Sequence, residues 1–477
     1  MDATALRAPA VLDFAAVFAD WSAGLEIGEL PPGIIEAARG NLFDTLACAA
    51  AGRNAPGVCE VRDLALGWGG RGEASLWWSD ARLPAHDAAW LNGIMAHARD
   101  YDDTHDAAVL HAGVSVVPAA LAAADIAGRP VAGADLLAGL VAGLELICRL
   151  GMATGIGIIE SGFIYSGLFG HFAATAAAAR VLRLSPEETV NAMGIAYSQA
   201  GGTHQVTRDG AMTKRMQPGF GARSALLSIA MSRAGIRGAQ NIFEGADGLG
   251  RTYLRSTLDS AALRDGLGQR FHMADLSYKP YPCCRFNHTA IDAALAIAKE
   301  PGFDAGAVRR ITVGINRQAW EAVAWPLEIR QAPATVVQAQ FSICYSIACA
   351  LANRTVGLED FVDDALRRPT VAALARKVEP QVDPAIESEW GRTISPAELV
   401  VETDSGVFRA RVDHARGGRG NAMTPEDFDR KLRDCLAFSG FPQADATHAA
   451  FHAVVGRLPD CPDVSRAFRE LTALGFR

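Results

Sequence analysis

The chain has 477 residues, half of them hydrophobic and 21% charged, with a formal net charge of −8. At roughly 150 residues per domain this is length for two to four domains, ample to bury a core without metal or disulfide staples, and the low hydrophobicity of disordered chains is absent. No basic excess or stripe points to nucleic acid, so a protein of this charge that handles an anionic substrate must concentrate cations locally.

The N-terminus, MDATALRAPAVLDF, has no basic segment followed by a long apolar run and does not read as a signal peptide. Leu12, Ala15, Ala16 and Ala19 share one face of an opening helix. Pro31-Pro32 precedes a second, with Ile34, Ala37, Leu42, Leu46 and Ala49 at helical intervals. The most apolar stretch, 114–150, is interrupted by Asp125, Arg129, Pro130, Asp135 and Glu145, so no membrane span is expected. Residues 167–184 are rich in small side chains and read as a helix buried on all sides. Ser185-Pro186-Glu187-Glu188 then has the form of a helix start, with a Ser N-cap and Pro at the first position.

After about Met273 the pattern changes. Residues 309–315 (RRITVGI) alternate like a strand, and 398–412 give two alternating runs around Asp404-Ser405-Gly406, a hairpin. Between them 339–351 reads as one apolar helix. The expected fold is mainly α with an inserted α+β domain at 274–416. Residues 1–273 and 417–477 would form the large all-helical domain, with Gly417–Gly420 as a flexible link. The nine cysteines are odd in number and irregular in spacing, with no CxxC, which speaks against a disulfide framework, a zinc ribbon or an iron–sulfur cluster. A cytoplasmic protein is the default, with neither membrane nor nucleic acid as a partner.

Three polar clusters carry the chemistry. The first runs from His97 through Arg99, Asp100, Tyr101, Asp102, Asp103, Thr104, His105 and Asp106 to His111. Such carboxylates and histidines are costly to bury unless paired or functional. If the helix of 88–96 runs on through 104, then His97, Asp100 and Thr104 share a face. The alternative is a solvated helix end whose aspartates cap the next element. No spacing-specific ligand set supports a metal site here. The second cluster, Arg208 to Arg215 with Lys214, lies between Gly201-Gly202 and Gly219-Phe220-Gly221, where backbone can approach a ligand closely. The third is Lys279-Pro-Tyr-Pro-Cys-Cys-Arg285-Phe-Asn-His288. Its alternative reading is a rigid hinge between domains. Together Lys214, Lys279 and Arg285 offer cations for carboxylates, and Asp100, His111 and His288 offer acid and base groups for a carbon-bound proton and a leaving hydroxyl.

The ordered motifs 96–105 with His111, 210–214 (GAMTK), 279–288 and Phe341-Ser342 to Tyr345 resemble the AHALDYDDTH…H, DGAMTK, KxYPCCRxxH and FSxxY signatures of the MmgE/PrpD family. Asp44-Thr45-Leu46 and Ser198-Gln199-Ala200 also fit in order. The resemblance implies a cofactor-independent enzyme, a homodimer with a helical domain and a smaller lid, acting on small polycarboxylates by dehydration, decarboxylation or epimerisation. Carried over by motif, the catalytic positions are Asp100, Thr104, His111, His288 and Tyr345, with Lys214, Lys279 and Arg285 binding substrate and no metal. Dehydration of a 2-methylcitrate-like hydroxy acid is the expected reaction, and a catalytically silent polycarboxylate-binding protein is the alternative of a different kind. Two positions depart from the pattern. Ile164 and Gln217 stand where the family commonly has histidine, and Tyr165 or His171 are candidates to compensate. The division of the site between the two domains implies that closure completes it, with hinges at 278–282 and 417–420.

Overall fold

The computed structural model of the chain describes residues 13–474. Helix α1 (Phe14–Ala23) starts at Asp13, whose carboxylate accepts from the Ala15 N–H. Leu12 lies outside the described residues. The principal helices that follow are α2 (Pro32–Gly52), α3 (Ala85–His97), α4 (Gly113–Asp125), α5 (Gly133–Met152), α6 (Tyr165–Val181), α7 (Pro186–Tyr197) and α8 (Gln217–Arg233). Every residue of α6 is buried, as its small side chains predict, and the helix packs against α4, α5 and α8. Small residues set the closest approaches. A Cβ added at Gly93 of α3 would lie 2.9 Å from the Gly219 Cα of α8, so neither helix tolerates a larger side chain there. Ser185 accepts from the Glu188 N–H while Glu188 bonds back to the Ser185 N–H, a full capping box for α7.

The smaller part is α+β. The two-residue strands β1 (Thr104–His105) and β2 (Leu276–Ser277) form an antiparallel pair ahead of it. Its sheet has the order β4-β3-β5-β6, from β3 (Val308–Ile315), β4 (Val378–Val382), β5 (Ala397–Thr403) and β6 (Gly406–Val412). β3 and β4 are parallel and the other pairs antiparallel, the last being the hairpin expected around 404–406. β4 has no counterpart in the sequence reading, because Pro380 argues against a strand. At the edge of a sheet a proline is tolerated. Helices α9 (His288–Ala298) and α10 (Ile343–Asn353) pack together beside the sheet. The single helix expected over 339–351 is in fact two. Val336–Gln340 ends at Phe341, and Ser342 caps α10 by accepting from the Tyr345 N–H at 2.9 Å.

One hydrophobic cluster joins residues 14–273 with 432–471 and takes in Leu358, and a second is built from 281–401. Helix α11 (Pro425–Phe438) returns to α2, and Lys431 there reaches the Asp44 carboxylate at 2.5 Å. The Gly417–Gly420 segment is not the loose link its composition suggests. The Tyr278 N–H donates to the Gly417 carbonyl at 2.9 Å, and Gly417 N–H to the Asn421 carbonyl at 2.6 Å. Among the described residues no helix is long and apolar enough to cross a membrane. All nine cysteines are free.

Candidate active site

Helix α3 does not continue through 104. It ends at His97, and Asp100 takes φ +52°, a left-handed conformation that aspartate tolerates better than most residues. The chain reverses there, and Thr104 and His105 pair with Ser277 and Leu276. His97, Asp100 and Thr104 are therefore brought together by a tight turn and a short β-bridge, not by one helix face. The capping reading holds for Asp103. Its two oxygens accept from the Ala112 and Gly113 N–H groups, each at 2.9 Å, at the start of α4.

The turn places a buried charge network beneath a cavity. Asp102, fully buried, sits between two imidazoles, 2.9 Å from His97 Nδ1 and 2.9 Å from His111 Nδ1. His111 Nδ1 also lies 2.7 Å from the Asp103 carbonyl, which can only accept, so Nδ1 carries the proton and Nε2 is left free. By the same reasoning His97 Nδ1–H donates to Asp102 while its Nε2 accepts from Lys214 Nζ at 2.9 Å. Lys214 donates to Asp100 as well. On its other side Asp100 takes two bonds from Lys279 Nζ, to its carboxylate and its carbonyl, both at 2.9 Å.

The electrostatics follow from burial and these partners. Burial opposes ionisation of Asp100, but Lys214 and Lys279 outweigh it and hold the carboxyl well below the usual range. Burial likewise opposes Asp102, and its two imidazoles bring it well below normal. Burial lowers His97 to about 4 against the pull of Asp102, with Lys214 adding to the fall, so this imidazole is neutral at pH 7. Asp103 is raised by burial and by the adjacent Asp102 charge. Lys279 is kept protonated by Asp100 despite complete burial.

The cavity spans about 550 Å³ between its lining atoms, part of it open to solvent. Asp100, Thr104, His111 and Lys214 form its polar floor, and His204, Thr207 and Ser166 add further polar groups. Much of the remaining wall is apolar, including Ile158, Ile164, Phe286, Phe341 and Ile394. Lys214 Nζ lies 5.0 Å from the Phe341 ring centroid. The Thr104 hydroxyl is buried with no protein partner, a donor left for something in the cavity. A hollow of about 1210 Å³ beside Trp77, Trp78 and Arg53 is larger, but no comparable acid–base set lines it.

The sequence-predicted residues thus fall in two groups. Asp100, Thr104, His111, Lys214 and Arg285 line the cavity. Lys279 lies behind Asp100 and is fully buried. Arg285 reaches the wall with its donors committed, bidentate to Asp106 at 3.0 Å each and to the Arg416 carbonyl at 2.7 Å. His288 is fully buried, its Nδ1 accepting from Arg285 at 3.2 Å and its Nε2 donating to the Cys283 carbonyl at 3.2 Å. Tyr345 lies behind the wall, and its hydroxyl donates to the Asp360 carbonyl at 2.7 Å. His97, expected only on a helix face with Asp100 and Thr104, and Asp102, of the same cluster, have no site role in the sequence, because only the turn at Asp100 brings them under His111. His204 carried no motif signal. The two departing positions converge on its segment. The Ile164 N–H bonds the Gly202 carbonyl at 3.0 Å, and Gln217 Nε2 the Thr203 carbonyl at 3.0 Å. Tyr165 donates to the Ile156 carbonyl at 2.6 Å, and His171 is buried in α6.

Comparison with known proteins agrees with this architecture. Residues 16–260 match the MmgE/PrpD N-terminal domain and residues 281–455 the MmgE/PrpD C-terminal domain. The chain is 30% identical over 439 residues to a cis-aconitate decarboxylase-like protein of Aspergillus oryzae, covering 87% of this chain and 88% of that protein. It is 26% identical to the cis-aconitate decarboxylase of Aspergillus terreus over 81% of each chain. Against the cis-aconitate decarboxylase of Mus musculus it is 24% identical over 87% of this chain and 85% of the other. With both domains matched in order over the helical core and the α+β part, the chain belongs to the MmgE/PrpD family.

Proposed function

We propose that this chain is a lyase that decarboxylates a small unsaturated di- or tricarboxylate of the cis-aconitate kind, using its own side chains alone. The observation that carries the reading is the pairing of an ionic floor, Asp100–Lys214 with His111, with a largely apolar wall. Lys214 anchors one carboxylate. The carboxylate that leaves lies toward the apolar wall, where its localised charge is poorly solvated and its dispersal on cleavage is favoured. The carbon–carbon bond breaks, carbon dioxide departs, and the electron pair passes into the conjugated system. The anchored carboxylate, held by Lys214, carries the resulting charge. His111 Nε2, when protonated, returns a proton to carbon. Asp102 holds the Nδ1–H side of that ring and stabilises its cationic form. Similarity to relatives named as cis-aconitate decarboxylases supports this reaction over the dehydration expected from the sequence.

Dehydration of a 2-methylcitrate-like hydroxy acid is the second reading, since His111 is equally placed to protonate a leaving hydroxyl and the Thr104 hydroxyl is free to bind one. The test is a panel of tricarboxylates and hydroxy acids followed by NMR and by carbon dioxide release. Carbon dioxide from an unsaturated acid supports decarboxylation, and a new alkene without it supports dehydration. Deuterium wash-in alone supports epimerisation, and binding without turnover would leave a silent binding protein. His97, Asp102 and His111 bring three ligand atoms within 4.8 Å, so the same assay is run after chelation. Activity lost to a chelator and restored by one divalent ion would refute metal-free chemistry. We further propose the homodimer implied by the family resemblance. Trp68 is 53% and Phe220 40% exposed on either side of Trp90, a patch that a second copy would cover, and light scattering decides it.

A further inference from the structure

Lys214 is the ammonium on the cavity floor, and its bonds are shared between Asp100 and His97. Lys279 and Arg285 are committed to protein acceptors. A substrate with two or three carboxylates needs a second place to put charge. The cavity wall that carries His204 supplies one. Phe163 and Thr203 form an antiparallel bridge, with the Ile164 N–H bonded to the Gly202 carbonyl at 3.0 Å and the His204 N–H to the Gly162 carbonyl at 2.8 Å. Gln217 clamps the same segment through the Thr203 carbonyl. This two-stranded ledge holds His204 in the cavity wall beside Ile164 and Thr207. His204 is 7% exposed, and its Nδ1 is buried with no hydrogen-bond partner. An imidazole nitrogen left unmatched on a fixed ledge in a cavity wall is costly unless a ligand completes it.

The surroundings select the ligand. Burial, then the charges of Arg208, Arg330 and Lys214, lower His204 to about 4, so the ring is neutral and lies in a positive field. Arg330 is itself buried, its Nε and Nη2 on the Trp325 and Ala322 carbonyls. A neutral imidazole in a cationic corner donates to an anion without needing a counter-charge of its own. We propose that His204, in the field of Arg208 and Arg330, forms a second anion subsite, which takes the second carboxylate of a di- or tricarboxylate whose first is held by Lys214. The inference rests on the reading of the cavity as a polycarboxylate site and deepens it. It makes His204 the residue that separates substrates by carboxylate number.

The experiment is equilibrium binding to the full chain of propane-1,2,3-tricarboxylate, which is saturated and unreactive, and of butyrate as a one-carboxylate probe. The wild type is compared with His204→Ala and His204→Gln, each checked by circular dichroism. Expected are a loss of about tenfold or more in tricarboxylate affinity for His204→Ala, little change for butyrate, and partial recovery in His204→Gln, which keeps a donor. In the wild type the His204 C2–H resonance should also report a higher pKa once the tricarboxylate is bound, because an anion there favours the protonated ring. Equal weakening of both probes, or no weakening of either, would overturn the subsite while leaving the cavity a carboxylate site. A wild-type chain that neither binds nor turns over any carboxylate would overturn the proposed function as well. If His204→Ala does not fold, His204→Gln and the wild-type resonance decide, and an unmoved resonance counts against the subsite.

Discussion

Replacing Lys214 by alanine tests the core of the site. In the wild type its ammonium bonds both Asp100 and His97 Nε2. The variant keeps Asp100 ionised, because Lys279 Nζ still donates to its carboxylate at 2.9 Å. The buried carboxylate therefore loses one of two cations, not both, and the cost to folding is about 1–3 kcal/mol, the range for a buried group that loses a charged partner. On the proposed reading, the substrate carboxylate loses its anchor. Truncation of one partner in a buried charged hydrogen bond costs about 2–5 kcal/mol, so kcat/KM should fall by about thirtyfold or more. A second signature accompanies the fall. Lys214 is one of the causes that hold His97 down near 4, so the His97 pKa should rise in the variant. The assay is kcat/KM on the turned-over carboxylate, with thermal unfolding and a histidine NMR titration on the same preparations. A folded Lys214→Ala protein with kcat/KM within about threefold of wild type and an unmoved His97 would refute the assignment of Lys214 as the anchor.

Two further outcomes follow from the same geometry. Burial lowers His97, His171 and His204 to about 4 each, against about 6.5 in the unfolded chain. The unfolded state thus takes up protons first, and stability is full above about pH 6.5 and lost as pH falls toward 4, on the order of 1–3 kcal/mol per imidazole across that window. The depressed carboxyls Asp100 and Asp102 lose their contribution only below about pH 3.9, but Asp44, raised to about 6 by burial, gains stability over the same fall in pH and offsets part of the loss. Histidine NMR titrations therefore decide: ring resonances that titrate near about 6.5 in the folded protein would contradict the buried neutral rings. Tyr345→Phe removes one buried hydrogen bond, to the Asp360 carbonyl, and should cost about 0.5–1.5 kcal/mol of stability with kcat/KM nearly unchanged. A large kinetic loss at unchanged thermal stability would bring Tyr345 into the chemistry.

Much of this was legible in the sequence where a local signal decides the structure. The Ser185 capping box, the small-residue helix α6 and the β5–β6 hairpin each follow from side-chain chemistry within a few residues. The helix break at Ser342 carried a signal too, a serine ahead of an apolar run, but the continuous apolar pattern masked it. The turn at Asp100 carried none. A left-handed aspartate is fixed here by Lys214 and Lys279, 114 and 179 residues away, and no periodicity in 97–106 reports partners so distant. The same holds for His97 and Asp102, whose function depends on that turn. His204 was invisible because its placement rests on pairing of its segment with residues 162–164 and on Gln217, none of which leaves a local signal. Arg285 and His288 were legible as chemistry but not as partners of each other and of Asp106, which depends on how the α+β part meets the helical part.

That meeting line is where composition misleads most. Four residues with three glycines, 417–420, suggest a pivot, yet the structure uses them for closeness. Gly417 has φ +88°, and a Cβ there would fall 1.8 Å from the Tyr278 carbonyl oxygen. Gly420, at φ +84°, has nothing nearer than the His414 ring at 3.7 Å. Both glycines escape the left-handed penalty of about 1–2 kcal/mol that a side chain incurs, but only Gly417 also avoids a collision with backbone. The adjoining Ala415 and Arg416 carbonyls accept from Arg285, whose guanidinium holds Asp106 and reaches the cavity wall. Displacing Gly417 therefore moves Arg285 and its neighbours Cys284 and Phe286 in that wall. Gly420→Ala should lose only the conformational term. Gly417→Ala should lose several kcal/mol more, as overpacking against backbone does, and should raise KM through the shifted wall. Parallel thermal unfolding and steady-state kinetics on the two variants separate these cases. Equal, mild effects would mean that the segment yields freely, restoring the pivot that its glycines suggest and the closing lid that depends on it.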